Sequence, residues 1–98
     1  MATYFVTRHA GSLQWANANQ VAFDAHLSHL DDLSFLQQGD VVIGTLPINI
    51  VYQINQLGVR YVHLALQIPP SLRGVELDAD ELNAYKATLE EFEVSKIK

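Results

Sequence analysis

The sequence predicts an α/β fold, a single Rossmann-like domain over residues 1–98 with a mostly parallel sheet flanked by helices. Apolar runs typical of strands alternate with helical segments at short spacing, the order that gives parallel sheets. The run VRYVHLAL at residues 59–66 is nearly all apolar, as expected for a strand covered on both faces. A chain of 98 residues is long enough to bury one core of this kind.

The composition excludes several classes of protein. Hydrophobic residues make up 49% of the chain and charged residues 17%, which excludes a disordered protein. There is no cysteine, so disulfides, thiolate zinc sites and thiol nucleophiles are absent. The net charge of -5 argues against binding to long nucleic acid, which needs a basic face, but allows one pocket for a small phosphate ligand. No apolar stretch is long enough for a membrane span and residues 1–6 lack signal-peptide features, so we expect a cytoplasmic protein without a membrane partner.

The first part of the chain predicts two strands and a helix. Residues 3–7 are β-branched and aromatic and predict the first strand. Ser12 is suited to cap a helix over residues 13–19. Residues 21–27 alternate apolar and polar side chains, which predicts a second strand at a sheet edge, and residues 28–39 are polar and irregular.

The middle of the chain predicts strand, helix and strand. Residues 40–44 form a short apolar strand, and residues 47–57 have apolar side chains on one helical face and amides on the other. Gly58 ends this helix as the residue after its C-cap. The strand at residues 59–66 comes next.

The last part of the chain predicts a loop, a helix and a final strand. Asp78 and Glu81 have the spacing of a capping box. The helix that they begin would place four apolar side chains on one stripe: Leu82, Tyr85, Leu89 and Phe92. Residues 93–97 could add a last strand.

In an open α/β sheet, ligands bind beyond the carboxyl ends of the strands, where helix N-termini also point. Three segments are expected to meet there: residues 8–12, 45–49 and 67–74. Arg8 and His9 lie between a strand and a helix, where a phosphate would gain backbone donors, the helix dipole and a guanidinium. The alternative is an arginine paired with a surface carboxylate and a solvated histidine.

The strand-to-helix turn at residues 44–49 is the second candidate. Pro47 is predicted to open the helix, with Leu46 outside it, because a residue before proline avoids the α region. Thr45 would then present its hydroxyl to a ligand, Gly44 would allow close approach of backbone, and Asn49 would add an amide. A plain turn explains the same residues.

Other polar or aromatic residues have structural interpretations. His63 and Trp15 are expected in the core, although Trp15 could also stack on a base. Arg73 belongs either to a loop that closes over a ligand or to a simple turn. The HLSHLDD segment at residues 26–32 is a weak metal motif, because its HxxH spacing does not fit one face of a strand. We therefore predict no metal site and no cofactor.

Three blocks together resemble a small CRISPR-associated family of type III systems, the stand-alone ring nucleases. They are TYFVTRHAGSLQWA, GDVVIGTLPINIV, and RYVHLAL followed by PPSLRGVEL, and the resemblance runs from Thr3 to about Phe92. Each block alone would be unspecific. Ser12 departs from the alanine usual in the family's first block, a small change that leaves the turn plausible.

The resemblance implies a Rossmann-like domain of the CRISPR-associated type, related to the sensor domains of type III effectors and working as a homodimer. Its ligand would be cyclic tetra-adenylate, cleaved without a metal by attack of the RNA's own 2′-hydroxyl. Adenine walls would come from Leu46, Trp15 or Tyr52. By matching position, the resemblance places Arg8, His9, Thr45 and Arg73 at the ligand. Taking the turns described above with it, we expect Arg8 and His9 to be catalytic and six residues to contact the ligand: Thr7, Ser12, Gly44, Thr45, Asn49 and Arg73.

Two alternatives stay open at this stage. A module that binds a nucleotide without turnover would need the same pocket. An Arg-His-x-Gly turn after a first strand also resembles histidine phosphatases, but Ala10 interrupts their Arg-His-Gly motif and the chain is short for that fold.

Overall fold

The computed structural model describes residues 1–66, 78–84 and 86–98. It has the predicted α/β architecture, a five-stranded and mostly parallel sheet flanked by helices, consistent with a Rossmann-like fold. The strands are β1 (Thr3–Val6), β2 (Ala25–Leu27), β3 (Val41–Gly44), β4 (Arg60–Ala65) and β5 (Thr88–Phe92). The helices are α1 (Ala10–Ala18), α2 (Ile48–Gln56) and α3 (Ala79–Ala84).

The sheet has the strand order β2-β1-β3-β4-β5, in which the first four strands are parallel and β5 is antiparallel to β4. The chain moves outward from β1 to β2, returns to place β3 on the other side of β1, and continues to β4. The order therefore reverses between β1 and β3, where Phe5 pairs with Ile43. Such a switch point opens a crevice at the carboxyl ends of the two strands.

Two apolar cores cover the two faces of the sheet, because successive strand residues point to opposite faces. On one face, Phe5 and Ile43 pack with Trp15 of α1 and Leu82 of α3. On the other face, α2 and the segment before β3 contribute to a second core: Val6, Leu36, Val42, Val51, Ile54, Val59 and Tyr61. Burial on both faces holds β1 and β3 in place, and so fixes where their carboxyl ends meet.

The start of α1 corrects the predicted cap. His9 is the N-cap with extended backbone angles, and the helix begins at Ala10 rather than at Leu13. Ser12 is buried in the first turn, where its backbone N–H donates to the His9 carbonyl. The turn begins earlier because the Thr7 hydroxyl accepts the His9 backbone N–H at 3.1 Å, directly after β1 has ended at Val6.

The C-terminal part confirms the capping box and corrects the elements predicted after it. Glu81 N–H donates to the Asp78 carboxylate at 2.8 Å, and α3 begins at Ala79. The helix does not continue to Phe92, since residues 88–92 form β5, and residues 93–97 are not a strand. Tyr85, the second member of the predicted stripe, lies outside the described residues.

Strand β5 takes the place of the last turns of the predicted helix. Leu89 of β5 pairs with Leu64 of β4 and packs on the core, a strand contact that its helical spacing from Leu82 did not suggest. In this way β5 covers the edge of β4 that would otherwise lie open.

The described helices contain nine residues or fewer, and none of them is long and apolar enough to cross a bilayer.

Candidate functional site

A cavity of about 540 Å³ opens at the switch point, beyond the carboxyl ends of β1, β2 and β3. Three chain segments form its walls, and each one directly follows a strand or ends it. The lining residues are Val6, Thr7, Arg8, His9, Ser28, His29, Leu30, Asp31, Thr45, Leu46, Pro47 and Ile50. The N-caps of two helices, His9 for α1 and Pro47 for α2, are among them.

The first wall is the turn from β1 to α1. The Thr7 backbone N–H donates to the Leu27 carbonyl at 2.9 Å, and an imidazole N–H of His26 donates to the Thr7 carbonyl at 2.8 Å. These bonds hold Thr7 against β2 after β1 has ended. Arg8 and His9 are exposed and face the cavity from the beginning of α1. A guanidinium, an imidazole and a helix N-terminus thus meet at one point, an arrangement that favours an anion.

The second wall is the turn from β3 to α2, and the Tyr61 hydroxyl holds it. The hydroxyl donates to the Gly44 carbonyl at 3.0 Å and accepts the Leu46 backbone N–H at 2.9 Å. His63 Nδ1 lies 2.6 Å from the same oxygen. Because the hydroxyl proton serves Gly44, the Nδ1–H tautomer of His63 completes the network by donating to Tyr61.

Burial raises the pKa of Tyr61 above its ordinary value of 10, and the hydrogen bond from Leu46 opposes this rise. The hydroxyl therefore keeps its proton at neutral pH, which it needs in order to donate to the Gly44 carbonyl. Tyr61 is 2% exposed and does not line the cavity, so it supports the turn from behind. The expectation that His63 is a structural histidine agrees with this network.

The third wall is the segment after β2, which the sequence interpretation does not include in the site. His29 Nε2 lies 3.1 Å from an Asp31 carboxylate oxygen, and His29 Nδ1 lies 3.3 Å from the Ser28 hydroxyl. The His29 and Asp31 side chains are 60% and 82% exposed, so both are open to a ligand in the cavity. The segment after β2 therefore joins the segments after β1 and β3 at this edge of the sheet.

A signal for this wall is present in the sequence. Residues 21–27 are predicted as a strand, and residues that follow a strand of a parallel sheet reach the same edge as those after β1 and β3. His26 lies on β2, whereas His29 lies beyond it, so the HxxH spacing bridges the end of the strand instead of marking one of its faces.

The structure brings four of the predicted site residues into the lining of one cavity: Thr7, Arg8, His9 and Thr45. Asn49 is exposed in the first turn of α2 but is not part of that lining. Arg73 lies outside the described residues, as does the rest of the predicted third segment at residues 67–74.

Gly44 and Ser12, two of the predicted ligand-binding residues, are buried next to the cavity and do not line it. Gly44 is buried, and a Cβ on it would lie 2.7 Å from the Val6 carbonyl oxygen, so glycine allows β3 to approach β1. Ser12 is 8% exposed inside α1 and does not line the cavity. Both residues lie behind the wall that Arg8 and Thr45 present.

The apolar part of the cavity differs from the adenine walls expected. Leu46 lines it, together with Leu30 and Ile50. Trp15 does not, because it is 4% exposed in the core and its indole N–H donates to the Asn83 side chain at 2.9 Å. Tyr52 lies outside the lining, with the Lys96 ammonium 5.7 Å from its ring centre.

In the described part of the chain, no group of three or more histidine, aspartate or glutamate side chains is placed to hold a metal ion. His29 and Asp31 form a pair, and the remaining polar groups of the cavity belong to arginine, threonine, serine and His9. These side chains can exchange hydrogen bonds and protons with a ligand in the cavity.

A family model described as "Putative CRISPR-associated protein (Cas_VVA1548)" matches residues 4–95. The chain belongs to this CRISPR-associated family. The match spans all three walls of the cavity and every described strand and helix from Tyr4 onward. No curated protein and no solved structure matches the chain.

Proposed function

We propose that this CRISPR-associated protein is a ring nuclease, which binds cyclic tetra-adenylate and cleaves it by metal-independent attack of the ligand's own 2′-hydroxyl. Such a reaction would switch off type III CRISPR signalling in the cytoplasm. The observation that carries the proposal is that Arg8, His9 and the N-termini of α1 and α2 converge on one cavity at the switch point of the sheet. The family to which the chain belongs supports a CRISPR-associated role.

The cavity suits a phosphodiester with an attached base. Arg8 supplies a fixed positive charge, and the helix N-termini supply backbone donors, so that a phosphate is bound although the net charge of the chain is -5. Leu30, Leu46 and Ile50 offer an apolar surface for an adenine face. Together they match the two chemical parts of a nucleotide.

RNA carries its own nucleophile, which limits what the protein has to supply. The 2′-oxygen attacks the adjacent phosphorus, the bond to the 5′-oxygen breaks, and a 2′,3′-cyclic phosphate and a 5′-hydroxyl remain. The protein has to align these atoms and stabilise the charge that develops on the phosphoryl oxygens. Arg8 has the charge and the position for the second task, and His9 has an imidazole that can take the 2′-proton.

A homodimer would present this site twice. A cavity of about 540 Å³ is of the size that encloses a drug-sized molecule, whereas a ring of four linked nucleotides exceeds it. Two copies related by a two-fold axis would place equivalent cavities on opposite phosphates of a symmetric ring. We therefore propose that the ligand lies across the axis of a dimer.

The test is incubation of the purified protein with cyclic tetra-adenylate in the presence of EDTA, with chromatography of the products. Ring opening at a rate proportional to the protein concentration is the expected result. Tight binding with an intact ring would replace the nuclease by a module that only binds the nucleotide. An intact ring, together with release of inorganic phosphate from a phosphomonoester in a parallel incubation, would instead support a phosphatase.

A further inference from the structure

We propose that His29 is a second catalytic residue of this site and gives a proton to the 5′-oxygen as that oxygen leaves phosphorus. The inference rests on the proposed ring cleavage and adds to it a residue, a role and a positioning partner. Its starting point is that the cavity contains two histidines on different walls, His9 after β1 and His29 after β2.

The sheet register explains why the two walls face each other. Val6 of β1 pairs with Leu27 of β2, and the Thr7 N–H continues the ladder to the Leu27 carbonyl at 2.9 Å. Arg8 lies two residues after Val6, and His29 lies two residues after Leu27. Two parallel strands that end side by side therefore deliver a guanidinium and an imidazole to the same cavity.

Cleavage of an RNA phosphodiester requires two proton transfers. One proton leaves the 2′-hydroxyl as the new O2′–P bond forms, and another reaches the 5′-oxygen as the P–O5′ bond breaks. One imidazole in a fixed position serves one of these oxygens, since they lie on opposite sides of the phosphorus in an in-line displacement. His9 and His29, which approach the cavity from separate walls, can serve one oxygen each.

Asp31 favours His29 for the donating role. Its carboxylate lies 3.1 Å from His29 Nε2, so a protonated His29 forms an ion pair while Nδ1–H remains on the other side of the ring. On that side, His29 Nδ1 lies 3.3 Å from the Ser28 hydroxyl oxygen. The leaving 5′-oxygen can replace the Ser28 hydroxyl as the hydrogen-bond partner of Nδ1–H. Asp31 then acts as a positioning residue that holds the His29 imidazole.

The charges around His29 are consistent with this assignment. Arg8 and His9 line the same cavity from the β1 side, and the Asp31 carboxylate contacts His29 from its own segment. The β3 side contributes Thr45 and Leu46, which carry no charge. After one turnover His9 holds the proton from the 2′-hydroxyl and His29 has lost one, and exchange with water restores both.

The first experiment compares His29→Ala, Asp31→Asn and Asp32→Asn with the wild-type protein on cyclic tetra-adenylate. His29→Ala is expected to lower the cleavage rate by about 100-fold or more, the range for loss of a general acid. Asp31→Asn is expected to cause a smaller loss. Asp32→Asn is the matched control, because Asp32 accepts the Ser34 N–H in an exposed turn and is not part of the lining. Since all three residues are exposed, circular dichroism should show unchanged folding.

The second experiment uses a ring in which sulfur replaces the bridging 5′-oxygen of one linkage. A thiolate leaves without a proton, so His29→Ala and Asp31→Asn should cleave this linkage at nearly the wild-type rate, whereas His9→Ala should stay slow. Equal losses on the oxygen and sulfur linkages would overturn the general-acid role of His29. Wild-type cleavage of the natural ring by His29→Ala would also overturn it, and would leave the ring nuclease intact. Failure of the wild-type protein to open the ring would remove both proposals.

Discussion

Among the residues that the structure describes, Arg8 is the only lysine or arginine that lines the cavity. The chain has six such residues in total, and one other, Arg60, is engaged by both oxygens of Glu91 at 2.6 and 2.9 Å. Arg60 thus lies on the β4–β5 edge of the sheet and shares its charge with a carboxylate. Arg8 and Arg60 form a natural pair for testing whether position, rather than charge alone, matters.

Arg8→Ala is expected to lower ring cleavage by about 100- to 1000-fold, the loss typical of a donor that stabilises charge in a transition state. Arg60→Ala should leave the cleavage rate unchanged, since its partner Glu91 is on the opposite part of the sheet from β2. Initial rates on cyclic tetra-adenylate measure both variants. Equal rates for Arg8→Ala and the wild type, with both folded, would remove Arg8 from the site.

Asp40 is a second residue whose surroundings lead to a prediction. Its carboxylate accepts the backbone N–H groups of Ala2 and Gln37, each at 2.9 Å, and so ties the start of β1 to the turn before β3. These bonds hold the pKa of Asp40 below its ordinary value of 3.8. A lowered pKa stabilises the fold above pH 3.8, and this stabilisation is lost as the pH falls through the lower, folded-state pKa.

Asp40→Asn is expected to be less stable at pH 7, because an amide offers one carbonyl oxygen where the carboxylate offers two. It should also lose less stability than the wild type as the pH falls below 3.8 towards the lower, folded-state pKa of Asp40. Urea unfolding at several pH values, monitored by circular dichroism, measures both effects. Parallel pH profiles for the two proteins would show that Asp40 is not linked to folding as described.

At the scale of elements, helix α2 positions the second wall of the cavity through its buried face. Ile54 is fully buried against the sheet, whereas Ile48 at the other end of the helix is 72% exposed. Gly58, with φ of +79°, ends the helix and returns the chain to β4. The two isoleucines have the same side chain in one helix but opposite environments.

Ile54→Ala is expected to lower the free energy of unfolding by about 2–5 kcal/mol, the usual cost of removing a large side chain from a core. Ile48→Ala should change it by less than about 0.5 kcal/mol, as for most surface positions. Chemical unfolding of the two variants beside the wild type gives both values. Similar losses for both would mean that the face of α2 packed on the sheet is not the one that carries Ile54.

The elements also show how much of the fold is predictable from the sequence. Strands β1, β3 and β4 and helix α2 are predictable, because their apolar periods and the Gly58 stop are local signals. The sequence pattern predicts helix where β5 lies, since the spacing of Leu82 and Leu89 fits a helical stripe as well as two separate elements. What makes residues 88–92 a strand is the open edge of β4, a contact between distant parts of the chain.

The candidate site divides in the same manner. Arg8, His9 and Thr45 can be placed near the carboxyl edge because each lies just beyond an apolar strand. His29 and Asp31 follow the strand predicted at residues 21–27, but the position of that strand beside β1 and parallel to it is a non-local pairing that the local pattern does not give. The core position expected for Trp15 is confirmed, whereas the burial of Ser12 depends on how α1 packs in the fold, which local sequence does not encode.

At the scale of the whole molecule, the proposed ligand determines the proposed assembly. Each chain has one cavity lined by Arg8 and His9, whereas a ring of four nucleotides has equivalent phosphates on its opposite sides. A two-fold dimer provides two equivalent cavities, so that each copy of the chain binds an equivalent half of the ring.

The protein is therefore expected to be a dimer in solution with cyclic tetra-adenylate bound, at one ring per two chains. Light scattering coupled to size-exclusion chromatography gives the mass, and calorimetric titration gives the ratio of ring to protein. One ring per chain on a monomer, with the ring still cleaved, would keep the nuclease and contradict the dimer.

In the proposed reaction, the ligand's own 2′-hydroxyl, aligned by this cavity, opens the ring. Mass spectrometry of the earliest products formed from cyclic tetra-adenylate in EDTA tests it most directly. We expect linear fragments that end in a 2′,3′-cyclic phosphate and a 5′-hydroxyl, formed at the same rate with or without the chelator. Products that carry a simple, non-cyclic phosphate at the first time point, or cleavage abolished by EDTA, would contradict it.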